Sequence, residues 1–120
     1  NRNERMSEFG WELYPEGVYH ALIELKSYGK PIYITENGLA DAHDEQRAWY
    51  ITEILRNVHR AIRGGVDVRG YLYWSLLDNF EWDKGFWPRF GLIEVNYQTL
   101  ERTVRPSAHE YARIIRQNGL

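Results

Sequence analysis

Pro31-Ile-Tyr-Ile-Thr-Glu36, followed by Asn37-Gly38, is the stretch on which the reading of this chain turns. It is short, β-branched and aromatic, and Asn-Gly marks a sharp turn, so it predicts a buried strand over about 31–36. Before it, residues 7–14 read as an irregular, aromatic-rich segment. Pro15 can open a helix, Glu16 favours its positive end, and Val18, Leu22 and Leu25 recur at helical spacing until Gly29. That predicts a helix over about 15–28. After the strand, Asp44 is the expected cap of a helix over about 44–63, with Ile51, Ile54, Leu55, Val58 and Ile62 as its apolar stripe.

Val68-Arg-Gly-Tyr-Leu-Tyr-Trp74 predicts a second short strand, about 69–74, and residues 75–90 read as a long loop. Leu92-Ile-Glu-Val95 alternates weakly and fits an extended piece. Pro106 opens a last helix, about 106–118, with Ala108, Tyr111, Ala112 and Ile115 as its inner face. The class is α/β, with a parallel sheet and a right-handed crossover. Two parallel strands leave both outer edges unpaired. Residues 1–120 are therefore read as one segment built to complete a larger sheet or barrel. The start, Asn1-Arg2-Asn3-Glu4, lacks an initiator methionine and fits a fragment.

The totals exclude several roles. At 43% hydrophobic and 27% charged, the 120 residues read as globular. A net charge of -2 argues against nucleic-acid binding. No apolar run of ~18 residues exists to span a membrane, and no signal-peptide pattern opens the chain; a cytoplasmic location is the expectation. The absence of cysteine removes disulfides and thiolate–metal sites. His20, His43, His59 and His109 form no metal-ligand pattern. Aromatics reach 15%, and beside carboxylates and amides they suit sugar recognition as well as core packing.

In α/β sheets and (β/α)8 barrels, chemistry gathers at the C-terminal ends of strands. Here those ends are Glu36 and Trp74. By position alone Glu36 can be a nucleophile, a general base, a metal ligand or half of a structural salt bridge. Glu81 and Trp82 offer two acceptor oxygens and one N–H donor, the mixture that neighbouring sugar hydroxyls need. Trp74 offers a flat platform. The same aromatics can equally be filling space beneath a loop.

Pro31-Ile-Tyr-Ile-Thr-Glu-Asn-Gly38 resembles the strand-seven motif of glycoside hydrolase family 1, and Trp74-Ser-Leu-Leu-Asp-Asn-Phe-Glu-Trp82 its strand-eight motif. Gly85-Phe86, Arg89-Phe-Gly-Leu-Ile93, Arg105-Pro-Ser107, Phe9-Gly-Trp-Glu and Pro15-Glu-Gly17 fit the same family in order. The likeness covers nearly the whole chain and is similar in flavour to the archaeal β-glycosidases. It implies the last two βα units of a (β/α)8 TIM barrel, with the upstream remainder of the barrel as partner and no nucleic acid or membrane. It implies a retaining β-glycosidase in which Glu36 is the nucleophile. Glu81 would accept from the 4- and 6-hydroxyls and Trp82 would donate to the 3-hydroxyl. Trp74 would floor the site, and Phe90 would help line it. A carboxylate at Glu81 implies a non-phosphorylated hexoside, glucoside or galactoside. A cis peptide between Trp74 and Ser75 is implied too. No cofactor and no metal is implied, since two carboxylates and water suffice. The family's acid/base lies in an Asn-Glu-Pro motif that does not occur here, so the isolated chain is expected to be inactive. The alternatives are a non-catalytic carbohydrate-binding segment and a purely structural barrel fragment.

Overall fold

The computed structural model describes residues 3–120; Asn1 and Arg2, which the expected segment and its opening tetrapeptide include, lie outside the described residues. The elements run α1 (Glu16–Leu25), a 3-10 turn (Lys26–Tyr28), β1 (Ile32–Ile34), α2 (Arg47–Arg63), β2 (Val68–Tyr71), a 3-10 turn (Trp82–Lys84), β3 (Ile93–Val95), β4 (Arg102–Val104) and α3 (Pro106–Gln117). β1 and β2 pair in parallel, Ile32 opposite Val68 and Ile34 opposite Tyr71, with an irregularity between Ile32 and Tyr33. Gly70 lies opposite Tyr33, and a Cβ there would meet the Tyr33 ring at 2.7 Å.

One face of this sheet is covered. Leu22 of α1 and Ile54, Val58 and Ala61 of α2 form a buried core with Val66, and Ile32, Ile34, Val68 and Tyr71 pack against it. Strand alternation sends Tyr33 and Leu72 to the opposite face, where both stay more than half exposed. A second core of Ile51, Tyr73 and Leu92, with Ala108 and Tyr111, joins α2 to α3.

Both parallel strands are shorter than expected, Ile32–Ile34 against 31–36 and Val68–Tyr71 against 69–74, because the chain leaves the two-stranded ladder before Glu36 and Trp74; three further expectations need correction. Asp44 does not cap α2: Asp41 does, accepting from the backbone N–H groups of Glu45 (3.3 Å), Gln46 (2.8 Å) and Arg47 (2.9 Å). The backbone at Asp44 turns left-handed (φ 58°), which carries its carboxylate to the start of α3, where Ser107 donates from its N–H (2.8 Å) and hydroxyl (2.6 Å). Ile115 is not on the inner face of α3. It is 60% exposed, whereas Ile114 is 6% exposed, because the buried line runs through Ser107, Tyr111 and Ile114. Ile62 likewise leaves the buried stripe of α2, and it shares with Ile115 an open apolar groove between α2 and α3. Beyond these corrections, Ile93–Val95 gains an antiparallel partner, β4, that the sequence reading does not contain.

The β3–β4 hairpin and the long loop are fastened by one buried carboxylate. Asp78 accepts from Arg105 Nη1 (3.0 Å) and Nη2 (3.3 Å), Arg89 Nη1 (3.3 Å), Gly91 N–H (2.8 Å) and Val95 N–H (3.2 Å). Burial by itself raises its pKa; the hydrogen bonds and charge of Arg105, with the two N–H groups, outweigh burial and hold the carboxyl below the usual range. A depressed pKa means stability that is present above the unfolded value, ~3.9, and lost as pH falls through the folded value. Asp78→Asn leaves two guanidinium groups short of their anion. In urea unfolding at pH 7 it is expected to cost about 3–5 kcal/mol, and the gap to the native protein should close as pH falls below ~4.

Candidate active site

The strand ends are held in register by polar groups behind them. Asn37 O accepts from Trp74 N–H at 2.9 Å. The Asn37 amide accepts from Tyr71 OH (3.0 Å) and donates to Tyr50 OH (3.3 Å). Burial pushes the phenols of Tyr50 and Tyr71 up, so both remain neutral hydrogen-bonding groups at ordinary pH. A Cβ at Gly38 would lie 1.7 Å from Trp74 O, so only glycine lets the loop after β1 pass this close to the segment after β2.

Behind this contact sits Arg47, fully buried. Its Nε donates to Tyr73 OH (3.0 Å), and its Nη2 donates to Asp41 O (2.6 Å) and Arg89 O (2.9 Å). Its Nη1 pairs with Asp44. Tyr73 OH in turn accepts from Leu39 N–H (3.4 Å). Burial pushes the Tyr73 phenol up to about 12, against the lowering influence of Arg47.

The second loop is fixed from the other side. The Trp74–Ser75 peptide is cis, as the resemblance implies. Ser75 N–H donates to Phe90 O (3.3 Å) and Leu92 N–H to Ser75 O (2.9 Å), which brings Phe90 beside Trp74. Asn79 Nδ2 donates to Glu81 Oε2 at 2.8 Å. Glu81 N–H donates to Gly85 O at 2.7 Å, closing the turn that carries Trp82 outward.

The result is an open cleft of about 900 Å³ into which Glu36, Trp74, Glu81, Trp82 and Phe90 all face. All five residues singled out in the sequence thus share one surface. The volume lies within the roughly 300–1,000 Å³ of small-molecule sites. No lysine, arginine or histidine among the described residues lines it. Among the described residues nothing pairs with or donates to the exposed Glu36 carboxylate, so a structural salt bridge has no partner there. Trp74 (38% exposed) and Trp82 (81%) present open indole surface; Phe90 is buried and packs at 5.8 Å on Phe9. Sequence reading missed Trp11, which lines the cleft and stacks on Phe9 at 4.9 Å; the only signal was the Phe9-Gly-Trp-Glu motif, which named no role. A second hollow, about 1050 Å³ between α1 and α2, lies away from the strand ends, and its Arg60 and Arg56 pair with its own Glu16 and Glu53. Among the described residues no group of histidines and carboxylates is placed to hold a metal ion.

The sequence model of Glycosyl hydrolase family 1 matches residues 1–120. A beta-galactosidase of Sulfolobus acidocaldarius is 52% identical over 115 residues, 95% of this chain and 23% of the relative. The solved beta-glycosidase of Pyrococcus horikoshii superposes with a TM-score of 0.91 at 55% identity, covering 94% of this chain and 27% of that one. A family 1 beta-glucosidase of Thermotoga maritima gives 0.95 at 39% identity, over 100% of this chain and 30% of that one. The chain thus spans about a quarter of the length of the curated relative.

The close approach at Gly38 gives a direct test of this arrangement. Gly38→Ala is expected to destabilise the protein by about 1–3 kcal/mol through overpacking, read by urea unfolding. Gly119→Ala, where a Cβ meets only Gln117 O at 3.7 Å, should stay within about 0.5 kcal/mol.

Proposed function

This chain belongs to Glycosyl hydrolase family 1, and we propose that it forms the C-terminal part, the last two βα units, of a retaining β-glycosidase barrel. The observation that carries the proposal is the cleft itself. It joins a strand-end carboxylate, Glu36, unpaired among the described residues, to a second carboxylate and the open indoles of Trp11, Trp74 and Trp82. The exposed Tyr33 face of the sheet is the surface the upstream barrel would cover.

In this reading Glu36 attacks the anomeric carbon of a β-glycoside. The C–O bond to the aglycone breaks and the leaving oxygen takes a proton from a carboxylic acid in the upstream polypeptide. That acid, as carboxylate, then deprotonates the water that hydrolyses the glycosyl–Glu36 ester with net retention. In retaining enzymes the two carboxyl groups stand about 5–5.5 Å apart. Glu81 is not assigned as that acid: its place in the Trp74–Trp82 motif resembles a sugar-binding position, and Asn79 Nδ2 donates to its Oε2 at 2.8 Å. It suits hydroxyl binding instead, accepting from the 4- and 6-hydroxyls. Trp82 donates its N–H to the 3-hydroxyl, Trp74 floors the ring and Phe90 backs the site.

The substrate class follows from charge. Among the described residues a phosphate dianion would meet Glu36 and Glu81 with no cation lining the cleft, and Lys84, the nearest lysine in sequence, pairs with Asp83 at 2.7 Å. We assign a non-phosphorylated β-glucoside or β-galactoside, in keeping with relatives named for both sugars.

The test is trapping with a 2-deoxy-2-fluoro-β-glucoside carrying a good leaving group. In the complete protein, peptide mapping should find the fluoroglucosyl group on Glu36; a label on any other residue contradicts the assignment. The 120-residue chain alone, which holds only the nucleophile of the pair, should show no measurable turnover.

A further inference from the structure

The Glu81 carboxylate does not set its own orientation. Its Oε2 takes the Asn79 amide proton at 2.8 Å. A carboxylate only accepts, so this contact also fixes which end of the Asn79 amide is nitrogen. The amide oxygen then points back, 3.1 Å from Ser75 Oγ, beside the Trp74 platform. Asn79 is held through its backbone as well: Tyr97 OH donates to Asn79 O at 3.2 Å, and the Arg89 guanidinium lies 4.3 Å over the Tyr97 ring while Arg89 also pairs with Asp78. Asn79 is thus braced from the β3–β4 turn; its Nδ2 also donates to Phe80 O at 3.3 Å, and the closer of its two amide contacts is the one to Glu81.

We propose that Asn79 is a positioning residue that locks the Glu81 carboxylate in the rotation needed to receive two sugar hydroxyls, and so sets preference for glycones bearing a C6 hydroxymethyl group. This rests on the sugar-binding role of Glu81 proposed above. A carboxylate held by one oxygen leaves its other oxygen and the remaining lone pairs pointing into the cleft. Released from Asn79, it turns about its side-chain torsions, and the two acceptor directions no longer match a 4-hydroxyl and a 6-hydroxyl together. A glycone without C6 has only the first contact to lose.

The experiment is steady-state kinetics on the complete protein with an aryl β-glucoside and the matching β-xyloside, which lacks the hydroxymethyl group. Asn79→Ala should lower kcat/KM for the glucoside by roughly tenfold, equivalent to ~1.4 kcal/mol, and for the xyloside by roughly threefold or less. In a Glu81→Ala background the same substitution should have almost no effect on either substrate, as for residues that act through one another. Asn79→Asp, nearly isosteric, carries the test if the alanine variant loses its melting transition. It sets two carboxylates together, so its deficit relative to the native protein should be larger at pH 7 than at pH 5, where such a pair takes up a proton. Equal losses for both substrates, equal losses with and without Glu81, or a pH-independent Asn79→Asp deficit would overturn the proposal. An unchanged kcat/KM in Glu81→Ala itself would instead remove the sugar-binding role beneath it.

Discussion

The buried guanidinium of Arg47 is the interaction on which the rest of the molecule depends. A charge removed from water is tolerated only when it is paired and its donors are used. Arg47 achieves this by reaching three separate pieces of chain: Asp41 and Asp44 in the loop between β1 and α2, Tyr73 just after β2 and Arg89 in the long loop. Asp44 extends the node to Ser107 at the start of α3. A planar fork of donors can span these partners, whereas an ammonium group offers one point. The node therefore fastens the two strand-end loops to each other from behind.

That fastening determines what the front can do. With Gly38 lying under Trp74 O and Asn37 bonded to Trp74 N–H, Glu36 has little freedom relative to the Trp74 platform. A second buried node, Asp78 with Arg105 and Arg89, holds the loop that carries Asn79, Glu81 and Trp82. Arg47, Arg89 and Arg105 are paired behind the cleft, and among the described residues its lining holds carboxylates and indoles without a lysine, arginine or histidine. Such a surface suits a neutral, hydroxyl-rich ring with apolar faces. It also explains how rigid positioning is obtained on loops: each loop is tied to a buried ion pair.

Much of this was legible in the sequence because its signals are local. The β-branched run into Glu36-Asn37-Gly38 and the helical spacing of Ile51, Ile54 and Val58 show in a short window. The Trp74–Trp82 run was legible through its likeness to a family motif. What stayed hidden depends on contacts distant in sequence. Asp41 and Asp44 both precede α2, and only the left-handed turn at Asp44 decides which one caps it. Arg47 drew no reading from the sequence, because its partners at Tyr73 and Arg89 lie 26 and 42 residues away. β4 is exposed at all three residues, so it shows no alternation to read. Trp11 lies in an irregular segment where no periodicity assigns a direction.

In the proposed mechanism Glu36 attacks the sugar from the face opposite a β-linked leaving group. Replacing it by glycine in the complete protein opens room for a small anion at that face. With an activated aryl β-glucoside, the Glu36→Gly variant should be inactive, azide should restore release of the aryl group, and the product seen by NMR should be the α-glucosyl azide. A β-glucosyl azide, or undiminished hydrolysis without azide, would contradict it.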